Sequence, residues 1–276
     1  MEQKAVTQSN KTLSDYLSMP SIKKKFNDVW GNPTIANTFA SSILSIGNSS
    51  PAMQRCAPMS IIAGAMVAAT LQLQIVPTLG QCFLIPYGDK AQVQVGYLGL
   101  LQLCMRSGQF KRILAVPVHD GELVSGDEFN EDWTFDKSKK VSDNIIGYYA
   151  KFELINGFVK AAYWPVDKVK AHAKRFSQAY RSGKKDTPWL TDFDAMAAKT
   201  VLKSILKYAP KSIEMQQALK FDQATVRTNA TTDNIEDLDI NSFEAEYVDS
   251  DNNRVRDAVA EEVTASEDLF AGKKEE

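Results

Sequence analysis

A periodic apolar pattern occupies the chain up to Phe221 and then stops. That break constrains the fold more than any other feature, because only a stretch repeating apolar residues at helix or strand spacing can bury a face. The charge divides at the same place. Residues 1–221 carry 27 Lys and Arg against 18 Asp and Glu, a surplus of nine positive charges, whereas residues 222–276 carry 5 against 16, a surplus of eleven negative ones. The net charge of −2 conceals this division. A basic body with an acidic appendage suits a protein that holds nucleic acid and also recruits something else; the plainer reading is a solubilising tail on an ordinary domain.

With 276 residues, 44% of them hydrophobic, the chain is long enough for one main domain and an appendage. Cys56, Cys82 and Cys104 each sit in an apolar run and form no C-x-x-C pair, which argues against a disulfide framework or a thiolate zinc site and for a reducing cytoplasm. Residues 1–10 are polar and lack the apolar centre of a signal peptide. The greasiest stretch, residues 61–73, is too short to cross a bilayer and is broken by Gly64, Thr70 and Gln72, so a buried helix in a soluble protein is expected, with no membrane partner.

Residues 11–25 read as one or two short helices ending in Lys23, Lys24 and Lys25, and residues 34–46 place Ile35, Phe39, Ile43, Leu44 and Ile46 near one helical face. Ser60, after Pro58 and Met59, offers a cap for a helix over residues 61–74. Two apolar runs, residues 82–87 and 92–95, are joined by Gly88-Asp89-Lys90 as a β-hairpin. Residues 96–107 repeat apolar groups at helix spacing, and Gly108 stands where a left-handed C-terminal cap belongs. Strand patterns at residues 113–119, 145–155 and 158–164 predict a small antiparallel sheet, with Asn156-Gly157 as a type I′ turn. The acidic excursion between the first two, residues 120–143, reads as a long loop or short irregular strands. Helices are predicted at residues 166–180 and 192–208, separated by a polar loop.

The expected fold class is therefore α+β: helices packed around a small antiparallel sheet with a β-hairpin, plus a flexible acidic C-terminal tail. Three regions are expected. Residues 1–57 form an N-terminal helical segment for contacts between subunits, residues 58–221 the core, and residues 222–276 an acidic linker with a partner-binding module. Within that module Val255, Val259, Val263, Leu269 and Phe270 can form a marginal amphipathic helix that folds against a partner.

Single-stranded nucleic acid is gripped by cations that follow its phosphates and by aromatic faces that hold its bases. Residues 151–227 are the richest basic window, with 15 Lys and Arg against 7 Asp and Glu. The candidates there are Lys151, Lys168, Lys174, Arg175, Lys184, Lys185, Lys199, Lys203, Lys207 and Lys211. Lys199, Lys203 and Lys207 recur every fourth residue, so they fall along one helical face about 6 Å apart. Like charges at that spacing cost a helix stability, which points to an anionic ligand; the alternative is a solvated face. Arg106, Lys111 and Arg112 form a second cluster at a helix-to-strand junction. Tyr87, Tyr97 and Trp189 are the candidate stacking groups, with a place in the core as the plainer role for each.

Signals for catalysis are weak. No G-x-x-x-x-G-K-[ST] loop exists, which disfavours an ATP-driven motor. His119 and His172 share no metal-ligand spacing, and no catalytic residue is assigned. Asp120, Glu122, Asp127, Glu128 and Asp132 leave open a metal-dependent nuclease, though without a nearby E-x-K lysine. No motif requires a cofactor, and magnesium enters only as a modulator.

Residues 94–108, Q-V-G-Y-L-G-L-L-Q-L-C-M-R-S-G, closely resemble the glycine-tyrosine helix motif of the RecT family, preceded as in that family by Leu73-Gln74, Pro77 and the run from Phe83 to Tyr87. Pro188-Trp189-Leu190-Thr191-Asp192, followed by Met196, Lys199-Thr200 and Lys207-Tyr208-Ala209-Pro210, resembles the family's second set of motifs. The likeness covers residues 60–215. It implies ATP-independent annealing of complementary strands in phage homologous recombination, in the cytoplasm of a bacterial host. It also implies binding of single-stranded DNA and the annealed duplex without sequence preference, and assembly of the protein with itself into rings or helical filaments. A phage exonuclease, and a host single-strand-binding protein reached through the C-terminal tail, are the implied partners. A more distant resemblance to phage Red-beta proteins points to Lys199 or Thr200, and to Lys207, as DNA contacts, with Thr191 inside the second motif. A passive single-strand coating protein is the main alternative.

Overall fold

The fold is known from a computed structural model, which describes residues 11–183, 185, 187–210, 212–230 and 238–247. Helices α1 (Leu13–Ser18), α2 (Pro20–Trp30), α3 (Pro33–Gly47), α4 (Pro51–Gln54) and α5 (Pro58–Thr70) come first, then strands β1 (Cys82–Tyr87) and β2 (Lys90–Val95). Helix α6 (Tyr97–Arg106) leads into β3 (Phe110–His119), β4 (Leu123–Asp127), β5 (Asp132–Phe135), β6 (Ile145–Leu154) and β7 (Val159–Pro165). After these come α7 (Val166–Phe176), α8 (Gln178–Arg181), α9 (Pro188–Thr191), α10 (Phe193–Leu206), α11 (Ile213–Phe221), β8 (Ala224–Arg227) and β9 (Glu244–Glu246). The class is α+β, with helices against small antiparallel sheets. Two compact units are formed, one by Met1–Val95 with Gln217–Glu276 and the other by Gly96–Gln216.

In the first unit the antiparallel sheet β1-β2-β8-β9 packs against α5. Helix α5 is buried from Ser60 to Ala69, which its Ala-rich composition allows. Gly64 makes the approach close: a Cβ there would stand 2.9 Å from Leu84 Cδ2 and 3.2 Å from Val93 Cγ2, a registered pair on β1 and β2. The helix begins at Pro58, three residues before the expected start, because proline at the first position needs no amide partner. Ser60 therefore lies inside the first turn, where its hydroxyl donates to Ala57 O at 2.7 Å and accepts from Ala91 N at 3.0 Å. The helix stops at Thr70, and Gln72 adopts a left-handed φ of 51°. No described helix is long and apolar enough to cross a membrane.

Strands β8 and β9 lie where an acidic linker is expected. Their register with β2 and with each other is short: Gln92↔Thr225, Val93↔Ala224, then Thr225↔Glu246 and Val226↔Ala245. Ala224, Thr225 and Val226 are all buried, so the strand shows no alternation to find. Asp222, also buried, accepts from Val95 N at 2.9 Å, and Lys90 pairs with Glu246 at 2.7 Å. Polar groups thus fasten a segment whose composition suggests a linker. Residues 248–276, including the expected closing helix, lie outside the described residues.

In the second unit β6 is the central strand of the sheet β3-β6-β7. Tyr148, Ala150, Phe152 and Leu154 alternate to its buried face. Helix α10 covers this sheet, and Tyr148 donates to Asp194 Oδ1 at 2.5 Å on the helix's first turn. The acidic excursion forms the hairpin β4-β5, whose Trp133 and Phe135 rings meet Tyr149. Both sheet edges are blunted by side chains. Tyr97 Oη accepts from Ala115 N and donates to Ala115 O, each at 3.3 Å, on the β3 edge, and Glu131 Oε2 accepts from Ala161 N at 3.3 Å on the β7 edge. The turn between β6 and β7 is not type I′. Gly157 has φ 86° while Asn156 does not leave negative φ, and Gly157 N donates to Leu154 O at 3.0 Å, as in a three-residue loop closed by a left-handed glycine. Gly108, at φ 66°, caps α6 as expected.

Ser60→Ala removes the acceptor of the buried Ala91 amide. It is expected to lower unfolding stability by about 1–3 kcal/mol, read from the denaturant midpoint at unchanged slope.

Candidate nucleic-acid interface

Helix α10 decides which cations of the second unit are available. Asp192 caps it by accepting from Ala195 N at 3.4 Å, and the turn Pro188–Thr191 delivers the chain to that cap. Against the sheet the helix buries Met196, Ala197, Ala198, Val201, Leu202, Ile205 and Leu206. Lys199 shares that burial, being 3% exposed. This corrects the expected row of three accessible lysines: the sequence spacing is kept, but packing closes over the first, half-covers Lys203 and leaves Lys207 open. Thr200 directs its hydroxyl to Met196 O at 2.8 Å, and Thr191 its own to Thr187 O at 3.3 Å, so both hydroxyls bond backbone carbonyls one turn earlier in the chain.

Beside α10 runs α7, with Lys168, His172, Arg175 and Phe176 at i, i+4, i+7 and i+8 on one face. The rings form a chain: Trp164 to His172 at 5.7 Å, then His172 to Phe176 at 4.5 Å. Cations border it, with Lys168 Nζ 5.0 Å from the Trp164 ring centre and the Arg175 guanidinium 5.0 Å from that of Phe176. His172 is held below its ordinary value of 6.5, first by burial and then by the nearby charges of Lys203 and Arg175. Those two cations, one from each helix, therefore face the same imidazole. Where α10 ends, Lys160 Nζ stands 4.1 Å and Lys207 Nζ 5.2 Å from the centre of the Tyr208 ring. Lys160 is itself ion-paired with Glu131. A strip of cations and rings results, running from Lys168 through Arg175 and Lys203 to Lys207.

A second basic group lies on the opposite face of the sheet. Lys111 pairs with Glu153 at 2.5 Å, and Arg112 and Lys151 add their charges, so together the three hold the Glu153 carboxyl below the usual range. Lys174 and Lys185 are exposed, Lys168 also approaches Glu128 at 3.4 Å, and Arg106 ends α6 with its charge near Glu214. Lys184 and Lys211 lie outside the described residues.

The expected stacking residues have other duties. Trp189 is 6% exposed, packed between Tyr180 at 6.2 Å and Phe193 at 5.7 Å, and serves the core beneath the start of α10. Tyr97 closes the β3 edge, and Tyr87 is half-buried on β1 of the first unit. The exposed aromatics that do border the strip are Phe176, marked in the sequence only by its neighbour Arg175, and Tyr208, which lies within the second motif beside Lys207 but is not among the stacking candidates.

The acidic residues of the excursion are engaged separately. Glu122 accepts from His119 N at 2.8 Å, which holds its carboxyl low, and Asp127 accepts from Phe129 N and Asn130 N at the hairpin tip. Among the described residues no three His, Cys, Asp or Glu side chains are gathered as metal ligands.

A basic strip of this kind on an α+β scaffold is the sort of surface found in the nucleic-acid-binding class of proteins. The sequence profile of the RecT family matches residues 37–237, and the chain belongs to that family. It is 45% identical over 230 residues to Uncharacterized protein YqaK of Bacillus subtilis (strain 168), covering 83% of this chain and 78% of that one. It is 25% identical over 228 residues to Protein RecT of Escherichia coli (strain K12), covering 78% and 81% respectively. Membership places the chain among the DNA-binding proteins of single-strand annealing recombination, which are annealing proteins rather than classical enzymes.

Because the folded state favours neutral His172, its contribution to stability is complete above pH 6.5 and is lost as pH falls from there through the lowered folded value. His172→Gln is expected to flatten that part of the stability–pH curve, measured by denaturant unfolding at successive pH values.

Proposed function

We propose that this protein binds single-stranded DNA along the α7–α10 strip without sequence preference and anneals it to a complementary strand without ATP. The observation that carries the reading is the convergence of Arg175, Lys203 and Lys207 beside exposed rings, within the span matched by the family profile. Ammonium and guanidinium groups neutralise phosphates, which carry no sequence information, and so leave base edges free to pair. The chain has no phosphate-binding loop for ATP. In this reading Lys111, Arg112 and Lys151, on the other face of the sheet, are the further phosphate contacts, reached by the annealed duplex or by a second strand.

Copies assemble on DNA as a ring or helical filament, with α1–α4 supplying contacts between subunits. The acidic C-terminal residues recruit a phage exonuclease and a host single-strand-binding protein, in the bacterial cytoplasm. Annealing of two labelled complementary strands without nucleotide is the direct test, and it also separates this activity from passive coating. Acceleration is expected; protection of the strands with no faster pairing would leave only a coating protein.

Each lost phosphate contact on a single strand changes the slope of log affinity against log salt by about 0.7. Lys203→Gln combined with Lys207→Gln is expected to reduce that slope by about 1.4 and to slow annealing. An unchanged slope with unchanged annealing would remove this row from the DNA path.

A further inference from the structure

We infer that Phe176 and Tyr208 are base-stacking residues, each pairing an open aromatic face with a neighbouring phosphate-binding cation. The inference rests on the single-strand reading above and adds to it a contact with the bases. Phe176 is 61% exposed and Tyr208 54% exposed, although large aromatic side chains are usually mostly buried. Isolated exposed rings are common on protein surfaces, so exposure alone carries little. The surroundings of these two rings carry more.

Both sit on the basic strip, and both have a cation at ring distance: Arg175 at 5.0 Å from Phe176, Lys160 at 4.1 Å and Lys207 at 5.2 Å from Tyr208. Both are also backed on one side. His172 lies 4.5 Å from Phe176, and Lys160, held by Glu131, stands over Tyr208. A ring supported in this way is already oriented before any ligand arrives, so little side-chain freedom remains to be lost on binding. The other aromatics considered for this role are committed to packing or to a strand edge, as described for Trp189 and Tyr97.

Stacking also fits what annealing demands. A base held by its face keeps its pairing edge free, whereas a base held by hydrogen bonds to that edge cannot pair until it is released. Every base has a face, so such contacts tolerate any sequence. Arg175 and Lys207 would hold phosphates while the adjoining rings hold bases, which sets the strand in one orientation across the strip.

The test compares the full chain with Phe176→Leu, Tyr208→Leu and the double variant, binding an oligothymidylate and an all-abasic strand of equal length at several salt concentrations. The wild type is expected to prefer the base-bearing strand, by roughly five- to 150-fold for each base stacked. The double leucine variant should lose most of that preference with its salt slope unchanged, while Phe176→Tyr and Tyr208→Phe should keep it. Thermal melts identify any unfolded variant, and each single leucine change then carries the test alone. A preference that survives both leucine changes would overturn the inference, as would a wild type that binds the two strands equally. A change in sedimentation with base preference intact would also overturn it, by assigning the rings to contacts between copies. If the wild type binds neither strand, the annealing reading itself fails.

Discussion

The second unit depends on a helix that is buried along one face, from Met196 to Leu206, and carries its cations at the border of that face. Helix α10 is pinned at its first turn by the bond from Tyr148 to Asp194, and burial together with that carboxylate drives the phenol well above its ordinary value, so the hydroxyl stays a donor. From there the helix lies over the sheet, burying small residues, Ala197 and Ala198, in its first half and larger ones, Leu202, Ile205 and Leu206, farther along. A fixed start determines what each later residue meets. Lys203 and Lys207 border the strip because Leu202, Ile205 and Leu206 take the buried positions of the helix's last turns.

This arrangement concentrates positive charge where the fold gains little from it. Arg175 and Lys203 both disfavour protonation of His172, and Lys160 and Lys207 share one aromatic ring. Like charges so gathered repel one another, and Lys203 and Lys207, four residues apart, weaken the end of α10 by about a few tenths of a kcal/mol, a crowding that an anionic strand would relieve. Glu131 relieves part of it by pairing with Lys160 and in the same stroke closes the β7 edge. The acidic hairpin is thus explained by its structural work. Glu122 and Asp127 accept from backbone amides there, and Glu131 pairs with a lysine.

Much of this was legible in the sequence where burial follows a period. The sheet strands β3, β6 and β7, the cap at Gly108 and the Ala-rich buried helix all announce themselves by spacing or by glycine placement. Legibility failed where polar contacts replace the pattern. Strand β8 is four residues long and buried on successive positions, and Asp222 and Glu246 anchor its surroundings in a stretch whose acidity suggested a linker. It failed also where periodicity was right and depth was not: Lys199, Lys203 and Lys207 do share a face, but the sequence contains no measure of how that face tilts into the sheet. Trp189 and Tyr208 illustrate the same limit from the two sides. Trp189 lies in a polar loop that leaves a lid over the core and a stacking role both open, and Tyr180 and Phe193 bury it; Tyr208 lies in the second motif, where spacing gives no measure of depth, and is open.

The strip uses lysine at Lys168, Lys203 and Lys207 and arginine only at Arg175. If the strip is the DNA path proposed above, the choice matters for annealing. An arginine fork grips a phosphate in two directions and fixes its register, whereas an ammonium on a flexible stem is a hydrated point charge that follows a moving phosphate. Two strands that meet out of register must slide before they pair, so contacts that hold charge but not position favour correction of the first encounter. Strict positioning would then fall to a few groups, and Arg175 beside Phe176 is placed to be one of them. A surface so divided can keep a strand bound, through many weak ionic contacts, without opposing the small shifts by which complementary sequences find their alignment.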